Sequence, residues 1–78
     1  MPLITVKLIE KVFSREQKNR IIDEITEAMV RVEGEPMRPL TWVWIEEIKS
    51  GDLAAGGRRM ATADVHAVQH PDAEHARA

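Results

Sequence analysis

Residues 40–48 read Leu40-Thr41-Trp42-Val43-Trp44-Ile45-Glu46-Glu47-Ile48, a run of aromatic and β-branched residues that fits a strand. Side chains alternate along a strand, so Trp42 and Trp44 share one face while Val43 and Ile45 share the other. Apolar residues on both faces suit burial on two sides rather than one solvated side.

Working back from that strand, Pro36, Pro39 and Gly34 separate it from a helical pattern. Ser14 has the character of an N-cap, and Gln17, three residues on, completes a capping box. Ile21, Ile22, Ile25, Ala28, Met29 and Val32 then fall at the spacing of one apolar stripe, with Lys18, Arg20, Asp23, Glu24, Glu27 and Arg31 elsewhere. Gly34 ends the helix, and the two prolines keep it from resuming. Further back, Pro2 to Ile9 reads as another strand with two apolar faces: Pro2, Ile4, Val6 and Leu8 on one, Leu3 and Ile9 with Thr5 and Lys7 on the other. Strand, helix, strand in this order predicts a right-handed β-α-β unit with two parallel strands. One helix covers one face of such a sheet. The other face, tryptophans included, must be covered by something else, for which a partner chain is the economical answer.

Forward of the strand, Lys49 to Gly57 contains Gly51, Gly56 and Gly57 and predicts turns with a short hairpin. Thr62 is a candidate cap for a short helix through Val65. From about His70 onward the composition (Pro71, Asp72, Ala73, Glu74, His75, Ala76, Arg77, Ala78) has no apolar periodicity and predicts a frayed end. The expected organisation is a domain over residues 1–61 and a C-terminal extension over 62–78.

With 78 residues and no cysteine, the chain allows one small domain without disulfides or thiolate zinc sites. Domains this small usually need a staple, and association of subunits is the expected one here. A net charge of −2 with 31% charged residues, the basic ones interleaved with acids, points away from nucleic acid. The start lacks the basic and apolar segments of a signal peptide, and no run approaches the ~18 apolar residues of a membrane span. A cytoplasmic location is expected.

Pro2 is the sharpest chemical feature. Methionine before proline is normally excised, which exposes a secondary amine. A free α-amino group titrates near ~8, and an apolar pocket or nearby cations disfavour its charged form, leaving a neutral base near neutral pH. The bland alternative is a proline that merely starts a strand.

Four stretches taken together resemble the 4-oxalocrotonate tautomerase family: Pro2-Leu3-Ile4-Thr5-Val6-Lys7-Leu8, Ser14-Arg15-Glu16-Gln17-Lys18, Ile45-Glu46-Glu47 and Gly56-Gly57. The resemblance runs from Pro2 to about Gly57. It implies an α+β fold built on a β-α-β subunit with one main helix and a short C-terminal hairpin. It further implies an isomerase whose amino-terminal proline moves a proton between carbons of an unsaturated keto acid, with no cofactor. Small subunits assembled as a hexamer, a trimer of dimers, complete the picture.

The sequence departs from the family at its carboxylate-binding arginines. The region after the first strand reads Glu10-Lys11-Val12-Phe13, with a one-residue insertion and no arginine, and the place of the second arginine falls at Trp42 or at Thr41. Leu53 stands where the family has an aromatic pocket residue. Lys11 and Arg38 are candidate substitutes, Arg38 the first choice, and Arg58-Arg59 could serve a neighbouring subunit. Trp42 and Trp44 are candidates to line a pocket for a flatter, more apolar substrate, against interface packing. Glu46 and Glu47 are adjacent and point to opposite faces, so they cannot act as a facing pair. His66, His70 and His75 have helical spacing, but Pro71 interrupts them and no metal is expected.

The expected catalytic residue is therefore Pro2, with Arg38, Lys11, Trp42 and Leu53 as substrate-binding candidates and a small carbonyl acid as substrate. Two other readings compete. A dehalogenase or hydratase of the same superfamily would need a cationic carboxylate clamp. A non-catalytic oligomeric binding module would need nothing from Pro2.

Overall fold

In the computed structural model, residues 1–70 are described. They form β1 (Leu3–Ile9), α1 (Arg15–Glu33), a 3-10 helix (Glu35–Leu40), β2 (Trp42–Ile48), β3 (Leu53–Ala55), β4 (Arg58–Met60) and α2 (Thr62–Gln69). The described residues pack as two compact units, one of residues 1–7 and 13–46, the other of residues 8–12 and 47–70.

β1 and β2 pair with each other. The Trp42 N–H donates to the Pro2 carbonyl at 3.0 Å, and the Glu10 N–H donates to the Ile48 carbonyl at 2.8 Å. The low-numbered ends meet and the high-numbered ends meet, so the strands are parallel, as the strand-helix-strand order requires. β2 begins at Trp42 rather than Leu40, because Leu40 closes the 3-10 helix.

In the first unit, α1 starts as its sequence dictates. The Ser14 Oγ accepts from the Gln17 N–H at 3.1 Å, and the Gln17 Oε1 accepts from the Ser14 N–H at 2.9 Å. Gly34 ends the helix at φ 101°, a left-hand value that residues with a Cβ rarely adopt. The buried stripe is rotated from the predicted one. Ile21, Ile22, Ile25 and Met29 are half-buried and Val30 is buried, while Ala28 and Val32 face outward. The chain then tightens into a 3-10 helix instead of stopping at the prolines. Pro36 lies in its first turn, where a missing N–H costs little.

The sheet strands of this unit carry the alternation expected of them. Ile4, Val6, Val43 and Ile45 are half-buried, whereas Leu3, Trp42 and Trp44 are exposed. Large apolar side chains therefore remain on the surface of a single copy.

In the second unit, β3 and β4 form an antiparallel hairpin with Leu53 opposite Met60 and Ala55 opposite Arg58. Gly56 and Gly57 supply its two-residue turn, both at positive φ (59° and 82°), which is the geometry that matches the twist of paired strands. The hairpin is thus centred on the glycine pair and extends beyond the predicted 49–57. Among the described residues of this unit, Ile9 and Val12 are the buried apolar ones.

α2 runs past Val65 to Gln69, and Thr62 does not cap it. Ala61 holds the cap position, its N–H donating to the Asp64 carboxylate at 2.8 Å. Thr62 is instead tied to distant residues: its Oγ1 donates to the Glu10 carbonyl at 2.6 Å and its N–H donates to the Ser50 Oγ at 2.9 Å. The Ser50 N–H in turn donates to the Glu10 carboxylate at 2.8 Å. The tail from Pro71, with His75, lies outside the described residues.

Candidate active site around Pro2

Pro2 is half-buried and stands immediately before β1. Its carbonyl is fixed by the Trp42 N–H, so the proline is tied to the first residue of the neighbouring strand. Trp42 and Pro2, both singled out from the sequence, are therefore brought together by the backbone. Trp42 is 51% exposed and Trp44 49%, which leaves indole surface available on that face of the unit. On the same strands, the Lys7 Nζ lies 3.9 Å from a Glu46 carboxylate oxygen, both side chains being exposed.

Arg38 belongs to the 3-10 helix that leads into β2, but its guanidinium is engaged. Nη1 and Nη2 donate to the two carboxylate oxygens of Glu27 at 2.7 and 2.9 Å, and Nε donates to Glu35 at 2.6 Å. The planar fork matches a carboxylate in just this bidentate manner. These hydrogen bonds hold the Glu27 and Glu35 carboxyls below the ordinary carboxylate range, partly opposed by desolvation and reinforced by the charge of Arg38. The same bonds raise the already high pKa of the arginine. One positive and two negative groups make a cluster of net negative charge. A substrate carboxylate approaching Arg38 has to displace one already there.

Thr41 joins the 3-10 helix to β2. Its Oγ1 lies 2.9 Å from both carboxylate oxygens of Glu33 and 3.0 Å from the Met37 carbonyl. Glu27, Glu33 and Glu35 were not singled out from the sequence, and Thr41 entered only as an alternative place for the family's second arginine. Their partners lie three to eleven residues away along the chain, across a helix end that periodicity does not resolve.

Lys11 and Leu53 fall in the second unit. Lys11 is exposed and adopts φ 62°, a left-handed conformation in the connection between β1 and α1. Its carbonyl lies 2.9 Å from the Nε2 of His66. A carbonyl only accepts, so that nitrogen carries the proton. The rings of His66 and His70 stack at 6.0 Å. Leu53 is exposed at the start of the hairpin, and Arg58 and Arg59 are exposed on its second strand. Among the described residues no group of three or more histidine, aspartate or glutamate side chains is set to hold a metal, and no helix is long and apolar enough to cross a membrane.

An open hollow on α1 is lined by Asp23, Glu24, Glu27 and Arg31. Three carboxylates against one guanidinium repel an anionic carbonyl acid, so this hollow is a poor candidate for its site.

Comparison with known proteins agrees with this geometry. The sequence model of the family described as "Tautomerase enzyme" matches residues 2–63. A crystal structure of an apo unfused 4-OT is 30% identical and superposes with a TM-score of 0.67, covering 76% of this chain and 93% of the other. DmpI from Helicobacter pylori is 27% identical with a TM-score of 0.63, covering 87% of this chain and 97% of its own. Curated protein sequences gave no match. From the proline-led parallel strand pair through the glycine-turned hairpin, the chain belongs to the 4-OT-like tautomerase family.

Proposed function

We propose that this tautomerase-family chain catalyses keto–enol or 1,3-proton transfer on a small unsaturated carbonyl acid, with Pro2 as general base once Met1 is removed. The observation that carries the reading is the hydrogen bond from the Trp42 N–H to the Pro2 carbonyl. It anchors the proline on its carbonyl side, at the first rung between the two long strands. Half-burial of Pro2 favours the uncharged amine over the ammonium form.

In the proposed reaction the neutral imino nitrogen takes a proton from an enol hydroxyl, as in phenylenolpyruvate, or from the carbon next to a carbonyl. Negative charge moves onto the carbonyl oxygen of the resulting enolate or dienolate. The prolinium then returns the proton to another carbon, and the nitrogen ends as it began. Stabilising the oxyanion falls to cations and backbone N–H groups near it. Arg38 and Lys11 are the proposed cations, a substrate having to compete with Glu27 and Glu35 for Arg38. Trp42 and Leu53 are proposed to line the site and to favour a flat substrate.

The working form is proposed to be a homo-oligomer, a hexamer built as a trimer of dimers, in the cytoplasm. The exposed Leu3, Trp42 and Trp44 support association. Residues 1–61 form the catalytic domain in this reading, with 62–78 as an extension.

The test uses phenylenolpyruvate as substrate and protein whose amino terminus is verified by intact mass. A positioned general base contributes roughly 10²–10⁴-fold, so Pro2→Ala and a form retaining Met1 should each lose activity by that order. Undiminished turnover in both refutes the assignment and leaves a binding module as the reading.

A further inference from the structure

We infer that Thr41 is a positioning residue for Pro2, acting through its hydroxyl bond to Glu33 and the backbone bond from its neighbour Trp42. The inference rests on the reading of Pro2 as the base, and goes beyond it by naming what holds that base in place.

Three links of the first unit carry the argument. At one end, Glu33 is the last residue of α1, the element fixed at its start by the Ser14–Gln17 box. Both of its carboxylate oxygens lie 2.9 Å from the Thr41 Oγ1. In the middle, Thr41 closes the 3-10 helix, its N–H donating to the Arg38 carbonyl at 3.1 Å. At the other end, Trp42 donates its N–H to the Pro2 carbonyl at 3.0 Å. Thr41 thus links the end of the helix to the residue that holds the proline.

The chemistry of that side chain decides its role. A hydroxyl has one proton, and here it faces the Glu33 carboxylate and the Met37 carbonyl, the latter at 3.0 Å. Donation to an ionised acceptor is the stronger bond, so the hydroxyl is drawn toward Glu33. Thr41 is half-buried, which limits the water able to replace it. Arg38 holds the preceding turn from a second side through Glu27 and Glu35. With the turn held twice, the direction in which Trp42 leaves it is defined, and with it the position of its N–H. Pro2 has no residue before it once Met1 is gone, so on its amino side nothing else restrains it.

Thr41 stands at one of the two places where the family's second arginine falls. On this inference the position orients the base and does not bind substrate. The kinetic signature differs accordingly: loss of a substrate ligand raises KM, whereas misorientation of the base lowers kcat at unchanged KM.

The experiment compares Thr41→Val, which keeps the shape and removes the hydroxyl, with Thr41→Ser, which restores it. A misplacement well under 1 Å costs roughly tenfold. Thr41→Val should therefore lower kcat on phenylenolpyruvate about that much with KM unchanged, and Thr41→Ser should recover most of it. Amide hydrogen exchange gives a readout independent of turnover. The Trp42 amide should exchange about tenfold faster in Thr41→Val, with the Val30 amide of α1 unaltered and Thr41→Ser near wild type. Glu33→Ala should reproduce the Thr41→Val result from the other partner, and it serves where the valine variant does not fold. An unchanged Trp42 amide in a folded Thr41→Val or Glu33→Ala protein overturns the brace, as does a Thr41→Ser variant as impaired as the valine one. Pro2→Ala is run beside them. If it leaves turnover intact, the base assignment fails, and the exchange data still judge the brace on their own.

Discussion

Val30 and Val32 lie two residues apart on α1 and differ in environment about as much as two identical side chains can. Val30 is 6% exposed and Val32 84%. Replacing each by alanine removes the same two carbons from the same helix. The change in intrinsic helix propensity, a few tenths of a kcal/mol in favour of alanine, is common to both and drops out of the comparison. What remains is burial. At ~0.8 kcal/mol per buried methylene, two carbons amount to ~1.6 kcal/mol, and scaling by the difference in exposure leaves about 1.2 kcal/mol. The cavity left at Val30 adds to this, so Val30→Ala should be less stable than Val32→Ala by roughly 1.5–2.5 kcal/mol. For a domain of this size that separates the melting temperatures by on the order of 10 °C. Urea titrations at one protein concentration, with each variant's slope compared with wild type, supply the free energies. Equal destabilisation of the two variants would refute the rotated stripe.

Two further outcomes follow from surface features. The Glu27 and Glu35 carboxyls titrate below their unfolded values, so the unfolded chain binds more protons in that window and stability rises with pH across it. The contribution is complete above about pH 4.5 and is lost as pH falls through the folded-state values, so Arg38→Met should flatten the fall in melting temperature between about pH 5 and 3, and an unchanged slope counts against the ion-pair cluster. Trp42 and Trp44 are the only tryptophans and share an exposed face, so assembly over that face should shift their fluorescence to shorter wavelength and dilution should reverse it. Emission typical of wetted indole at every concentration argues that the face stays uncovered.

Much of the fold was legible because the signals that set it are local. Ser14 and Gln17 meet across one turn, Gly34 accepts a backbone angle other residues resist, and Gly56-Gly57 impose a tight hairpin. Both strands announced their two apolar faces, and the exposure of Trp42 and Trp44 on one chain agrees with that pattern. What escaped was set at a distance or by accumulated phase. The helical stripe drifts by a fraction of a turn over nineteen residues, enough to bring Val30 inward in place of Val32. Thr62 looked like a cap because threonine often is one, but its hydroxyl bonds to a carbonyl fifty-two residues earlier. Pro36 and Pro39 read as a full stop, whereas a 3-10 helix tolerates them.

The site divides along the same line. Pro2 and Trp42 were visible as residue types and as ends of strands. That Arg38 is already held by two carboxylates was not, since Glu27 lies a full helix end away and carries no mark of its partner. A cation that looks available in a sequence is available only after its neighbours have been counted in space.

The backbone bond at Pro2 also bears on how the protein is best handled. The ladder between the two long strands opens at the second residue, and the nitrogen beside it is the proposed reactive group. A purification handle fused ahead of Met1 would convert that amine to an amide and crowd the first rung of the sheet. Such a fusion could fold normally and give an inactive preparation. A handle attached after Ala78 leaves that amine free.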